Sequence, residues 1–216
     1  MNLSSQKMFW LTLVIALVIM QLPIVSIPFK WLESYFHEIS HGFAAIVTGG
    51  TIIQIQLFPN GAGLCTTQGG SRFVVSFMGY FGATIWGFLL YRLAQASQQK
   101  AKLIIALIAS LLVLSMIFWV RDILTLIILL IVLALVLSAF KVSSVKYVQL
   151  ILKVMAMMVL LNSLMSPMYL IDGRALGDGA TLAKLTFIPE IVWVVIWFSF
   201  ALFCAFVLSK RSKASS

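Results

Sequence analysis

The chain is poor in charge. Of its 216 residues only 10% are Asp, Glu, Lys or Arg, while 62% are hydrophobic. Soluble domains average about a quarter charged and about half apolar, so the composition excludes an ordinary soluble fold and describes a membrane protein. Acid is scarcest: six Asp and Glu stand against fifteen Lys and Arg, a formal net charge of +9. This excess does not read as nucleic-acid binding. The basic residues sit singly or in small groups between apolar runs, as loop charges that set membrane orientation. The tail "SKRSKASS" is a short solvated basic segment that at most touches anionic lipid heads. The two cysteines, Cys65 and Cys204, offer neither a disulfide framework nor metal-ligand spacing. There is no polar stretch long enough for a soluble domain and no internal repeat, so a single integral-membrane domain is expected over residues 1–216.

What the chain does have is long apolar runs. About 20 apolar residues cross the hydrocarbon layer. By that ruler there are six or seven spans, near residues 8–28, 31–48, 72–94, 101–120, 123–140, 147–166 and 187–208. The first is of full span length and lacks a small-residue cleavage site, so it reads as an uncleaved helix rather than a signal peptide. Two interruptions are longer than turns. In "GGTIIQIQLFPNGAGLCTTQGG", residues 49–70, Thr51 to Leu57 alternates, Pro59-Asn60-Gly61 signals a turn, and Leu64 to Thr67 returns as a second strand. The other is the Gly- and Asp-containing segment "SPMYLIDGRALGDGATLAKLTFIP", residues 166–189. The expected fold is an all-α polytopic bundle of six or seven transmembrane helices. To it are added a short β-like hairpin at the membrane and an irregular Asp-containing segment that re-enters the bilayer. Lys and Arg counted over alternate loops of seven spans place the C-terminus in the cytoplasm.

Both histidines of the chain lie in one stretch, "YFHEISHGFA", residues 35–44. On a helix, His37 and His41 at i and i+4 share a face and aim at one point. Two imidazoles so placed suit zinc, and Glu38 lies where it can take a proton from a water at the metal; this is the HExxH arrangement of zinc peptidases. Ionisable groups within a membrane span are costly, and helix packing alone does not call for three of them together. Catalytic zinc takes a third protein ligand. The candidates are Glu33, Asp122, Asp172, Asp178, Glu190, Cys65 and Cys204. Glu33 reads as a solvated charge near a helix end, Asp122 as the turn partner of Arg121, and Glu190 as a first-turn residue of the last helix. Asp172 and Asp178 both sit in the glycine-rich interruption, where turn chemistry is the competing explanation. Gly79, Ala83 and Gly87 recur every four residues as a stripe that lets helices approach closely.

These motifs resemble the site-2 protease family of zinc intramembrane metallopeptidases, in its compact bacterial branch. The resemblance rests on "HEISH" followed by "TGG" and a β-like stretch, on "GYFGATIWG" at 79–87, and on "NSLMSPMYLIDGRALGDGATLAKLTFIPEIVWVVIW" at 162–197. It implies His37 and His41 as zinc ligands, Glu38 as general base, and Asp172, in "IDG", as the third ligand matching the family's distal "LDG" aspartate. Asn162 and Pro167 loosely match the family's upstream Asn and Pro. Ile171 replaces the leucine, and Asp178 forms a second Asp-Gly, so the choice between the aspartates stays open. The family's usual orientation puts the site toward the cytosol, opposite to the charge count. The implied protein is a zinc-dependent endopeptidase of the bacterial cytoplasmic membrane, cleaving a transmembrane protein substrate in or near the bilayer. Its partners would be that substrate and membrane lipids, with no nucleic acid and an oligomeric state the sequence does not give. Two other readings stay open: a metal-handling membrane protein or transporter, and an inactive family member acting as a scaffold.

Overall fold

Pro23 divides the first apolar stretch. Proline pushes the preceding residue out of the helical region; Leu22 is accordingly extended, with φ −103° and ψ 94°, and Pro23 opens the next helix, where its missing N–H is not needed. In the computed structural model, which describes residues 5–94, 98–142, 144–171, 174 and 176–211, helix α1 (Ser5–Met20) meets α2 (Pro23–Val47) at a bend of 112°. Helix α2 continues through Pro28 for 25 residues. The expected boundary near residues 28–31 is therefore displaced: 8–28 and 31–48 are not two spans, and Lys30 lies inside α2 rather than in a loop.

The remaining elements are β1 (Thr51–Leu57), β2 (Gly63–Gln68), α3 (Arg72–Leu93), α4 (Gln98–Phe118), α5 (Ile123–Ser138), α6 (Val145–Met165), α7 (Asp178–Thr186) and α8 (Glu190–Arg211). Short 3-10 turns extend α5 (Ala139–Lys141) and α6 (Ser166–Leu170). Among the described residues five helices are long and apolar enough to cross a membrane, and six if the bent α1–α2 pair is one span. The fold is the expected all-α polytopic bundle with one small sheet. At its centre α2, α3 and α6 pack on one another. Gly87 permits this: a Cβ there would lie 2.9 Å from the Leu160 backbone nitrogen, so α3 and α6 touch through backbone.

The hairpin forms as its sequence suggests, with Leu57 opposite Gly63 and Ile55 opposite Cys65. A bulge between Ile52 and Gln54 shifts the alternation by one residue, which lets Ile52, Ile55 and Leu57 all face the protein interior. The outer edge of β1 is covered. The Ile55 N–H donates to the Trp119 carbonyl and the Leu57 N–H to Thr125 Oγ1, both at 2.9 Å. The turn at 119–122, which supplies Trp119, differs from the expected Arg121–Asp122 ion pair. Asp122 instead caps α5, its Oδ1 accepting from the Thr125 N–H at 2.8 Å. The Arg121 guanidinium donates to the carbonyls of Phe118 and Val120 at the end of α4. Each charge answers a helix terminus with unpaired backbone groups.

Candidate metal centre

Helix α2 turns its buried face, including Glu33, Glu38 and His41, toward the bundle. His37 and His41, one turn apart, bring their Nε2 atoms to 2.9 Å from each other. The third group comes from α7. Asp178 is its first residue, following Gly177 at φ 93°, a left-handed conformation natural to glycine. Its Oδ2 lies 3.1 Å from His37 Nε2 and 3.3 Å from His41 Nε2. Helix α7 is too short to hold this position alone. It is pinned by Leu182, which packs with Trp193 and Trp197 of α8 and with Phe77 and Tyr80 of α3. Trp197 also donates its indole N–H to the Phe77 carbonyl at 3.1 Å.

The three converging atoms have the right chemistry for a metal ion. Ligands about 2.0–2.1 Å from a tetrahedral zinc lie roughly 3.3 Å apart, close to the edges of this triangle. His41 Nδ1 stands 2.7 Å from the Val75 carbonyl. A carbonyl can only accept, so Nδ1 carries the proton and Nε2 presents its lone pair to the centre. Gly79 keeps the space open: a Cβ there would lie 2.5 Å from His41 Nε2 and 2.6 Å from His37 Nε2.

A protein-family model described as Peptidase M50B-like matches residues 10–208. The chain belongs to the peptidase M50B-like family. No curated protein and no solved structure matches it. Membership makes the chain a site-2 protease-like membrane metallopeptidase by family, and the spans make it an integral membrane protein.

In this M50B-like peptidase Glu38 lies under the hairpin. The Ile55 N–H points outward to Trp119, so Ile55 and Cys65 are a non-hydrogen-bonded pair, and the Cys65 N–H points out of the hairpin as well. It faces the Glu38 carboxylate. Gly63, two residues earlier, lies so close that a Cβ would be 2.5 Å from Glu38 Oε1. The outer edge of β2 thus runs over the carboxylate, beside the two histidines.

The other candidates fall elsewhere. Asp172, the aspartate the resemblance favours, lies outside the described residues; among the described ones the carboxylate brought to the imidazoles is that of Asp178. Glu190 opens α8, with its side chain against Gly179. Cys204 packs in the apolar core. Burial, reinforced by the charge of Glu38, pushes the Cys65 thiol up to about 12, so it offers no thiolate. Glu33 is not the solvated helix-end charge expected from the sequence. With α2 beginning at Pro23 it sits in the third turn, 5% exposed. Two contributors are not read from the sequence as parts of the centre. Gly79 belongs to the small-residue stripe, but its part is to clear the centre. Tyr80 follows it, its ring edge-on to His37 with centroids 4.3 Å apart. The "GY" that begins "GYFGATIWG" was the available signal.

Proposed function

We propose that the protein is a zinc-dependent intramembrane endopeptidase in which His37, His41 and Asp178 hold the metal and Glu38 is the general base. The convergence of two imidazole nitrogens and one carboxylate oxygen within 3.3 Å, on helices of a membrane bundle, carries this reading. A bound zinc ion supplies Lewis-acid polarisation of the scissile carbonyl and an acidified water. Glu38 takes the proton of the attacking water and returns it to the amine nitrogen as the C–N bond breaks. Val75 holds the His41 ring in the tautomer that leaves Nε2 free. Metal removal tests the reading. After dialysis against 1,10-phenanthroline, cleavage of a transmembrane-segment peptide in detergent should fall to background and return with added Zn2+. Full activity in the metal-stripped protein would contradict it.

The hairpin offers the substrate an edge. The outside of β1 is occupied by Trp119 and Thr125, so an extended substrate strand adds to β2, which lays its backbone beside Glu38. Strand alternation turns the Thr67 N–H to the same outer side as that of Cys65. Thr67→Pro should therefore lower cleavage about tenfold, the loss of one to two backbone hydrogen bonds, with zinc content unchanged. Wild-type cleavage by this variant rules out strand addition at β2.

A further inference from the structure

A cavity of about 460 Å³ opens at the start of α3, lined by Thr67, Gly69, Gly70, Arg72, Val75 and Ser76. The hydrolytic mechanism gives its polar groups nothing to do. Arg72 is exposed. Among the described residues the ion pairs join the two histidines to Asp178 and leave the Arg72 guanidinium without a carboxylate. Ser76 is 8% exposed. A hydroxyl inside a helix commonly gives its proton to the carbonyl four residues back, as Ser40 and Thr84 do at 2.6 and 3.0 Å. The Ser76 hydroxyl makes neither that bond nor another among the described residues. Its oxygen keeps accessible surface, unlike enclosed unpartnered atoms such as Glu33 Oε1. A hydroxyl with a proton to give and an unpaired guanidinium therefore line one cavity. They do so at the first turn of a 22-residue helix, whose backbone N–H groups also favour an anion.

The cavity continues the outer edge of β2. That edge passes Glu38 at Gly63 and reaches Thr67, which lines the cavity, two residues or about 7 Å beyond Cys65. Val75 joins the two places from α3, since it lines the cavity and its carbonyl holds the His41 ring. We propose that the cavity is a substrate subsite for a carboxylate, an Asp or Glu side chain about two to four residues from the scissile bond, to which the Arg72 guanidinium and the Ser76 hydroxyl donate. This rests on the peptidase reading and on strand addition at β2, and it names the substrates that site selects. A guanidinium meets a carboxylate in a charge-assisted fork. Arg72 opens a membrane span, so the cavity lies at an end of the hydrocarbon layer, where a carboxylate escapes the cost it carries at mid-span. The selected substrate therefore carries an acid close to one end of its transmembrane segment.

The test uses quenched fluorescent peptides carrying a transmembrane-segment sequence, in detergent, with wild type, Arg72→Gln, Arg72→Glu and Ser76→Ala. Glu is exchanged for Gln, and for Lys, at successive positions around the scissile bond. The ratio of kcat/KM for each matched pair within one preparation cancels the folded fraction. In wild type, Glu should exceed Gln about tenfold or more at one fixed position, the worth of a hydrogen bond to a charged group. That ratio should shrink to within about twofold in Arg72→Gln and fall about threefold or more in Ser76→Ala. Arg72→Glu should prefer Lys to Glu at the same position, a reversal that a merely structural role does not produce. Wild type indifferent to the exchange at every position, either Arg72→Gln or Ser76→Ala keeping the full ratio, or Arg72→Glu still preferring Glu, overturns the subsite while leaving the peptidase reading intact. An indifferent wild type whose activity rises with phosphatidylglycerol in mixed micelles, where that of Arg72→Gln does not, assigns the cavity to a lipid phosphate and overturns the subsite as well. A zinc-loaded wild type that cleaves no peptide overturns the peptidase reading and the subsite with it.

Discussion

Glu38→Gln should bind zinc like the wild type and cleave its substrate at least about 100-fold more slowly, the low end of what a positioned general base contributes. Glutamine keeps the size of the side chain, so the hairpin above it stays in place. It has no oxygen basic enough to take a proton from water. The variant thus separates chemistry from architecture. Turnover measured on a transmembrane peptide, beside zinc content, decides the matter: wild-type turnover in Glu38→Gln removes Glu38 from the mechanism. The outcome also discriminates among the rival functions. A transporter that uses the same imidazole pair has no reason to lose its activity specifically with this carboxylate, and an inactive scaffold has no turnover to lose.

Asp178→Ala should abolish turnover by a different route, by losing the metal. Removing the carboxylate leaves two imidazoles, short of the three protein ligands usual for a catalytic zinc. It also removes the anion that, among the described residues, pairs with both rings. The fold should survive. Helix α7 is held by Leu182 against Trp193 and Trp197, and those contacts do not involve Asp178. The expected signature is a protein that purifies and melts like wild type yet does not cleave at ambient zinc. A variant that cleaves at the wild-type rate contradicts the assignment of Asp178.

The parts of this site that depend on local spacing could be read from the sequence. His37, Glu38 and His41 lie within one and a half turns of one helix, and helix geometry fixes their mutual placement. The hairpin was legible for the same reason: alternation on either side of Pro59-Asn60-Gly61 defines it locally. The carboxylate that stands beside the imidazoles was not. Asp172 and Asp178 are both Asp-Gly pairs in one glycine-rich segment, and Asp178 reaches the imidazoles because aromatic residues of α3 and α8 grip Leu182 four residues later. Glu33 was misread through a boundary. A boundary between spans near residues 28–31 makes it a helix-end charge, whereas the helix starts at Pro23 and buries it. Gly79 was read as helix packing, because spacing of four cannot distinguish a glycine that meets a neighbouring helix from one that meets two imidazoles.

The central claim is that His37, His41 and Asp178 together hold one zinc ion. Its most direct test is the metal stoichiometry of purified protein, by plasma mass spectrometry, for wild type, Asp178→Ala and Asp172→Ala side by side. The prediction is about one zinc per chain in wild type and in Asp172→Ala, and less than about a tenth of that in Asp178→Ala, the loss expected when one of three protein ligands is removed. A metal-free wild type, or an Asp178→Ala protein that keeps its zinc while Asp172→Ala loses it, would contradict the claim.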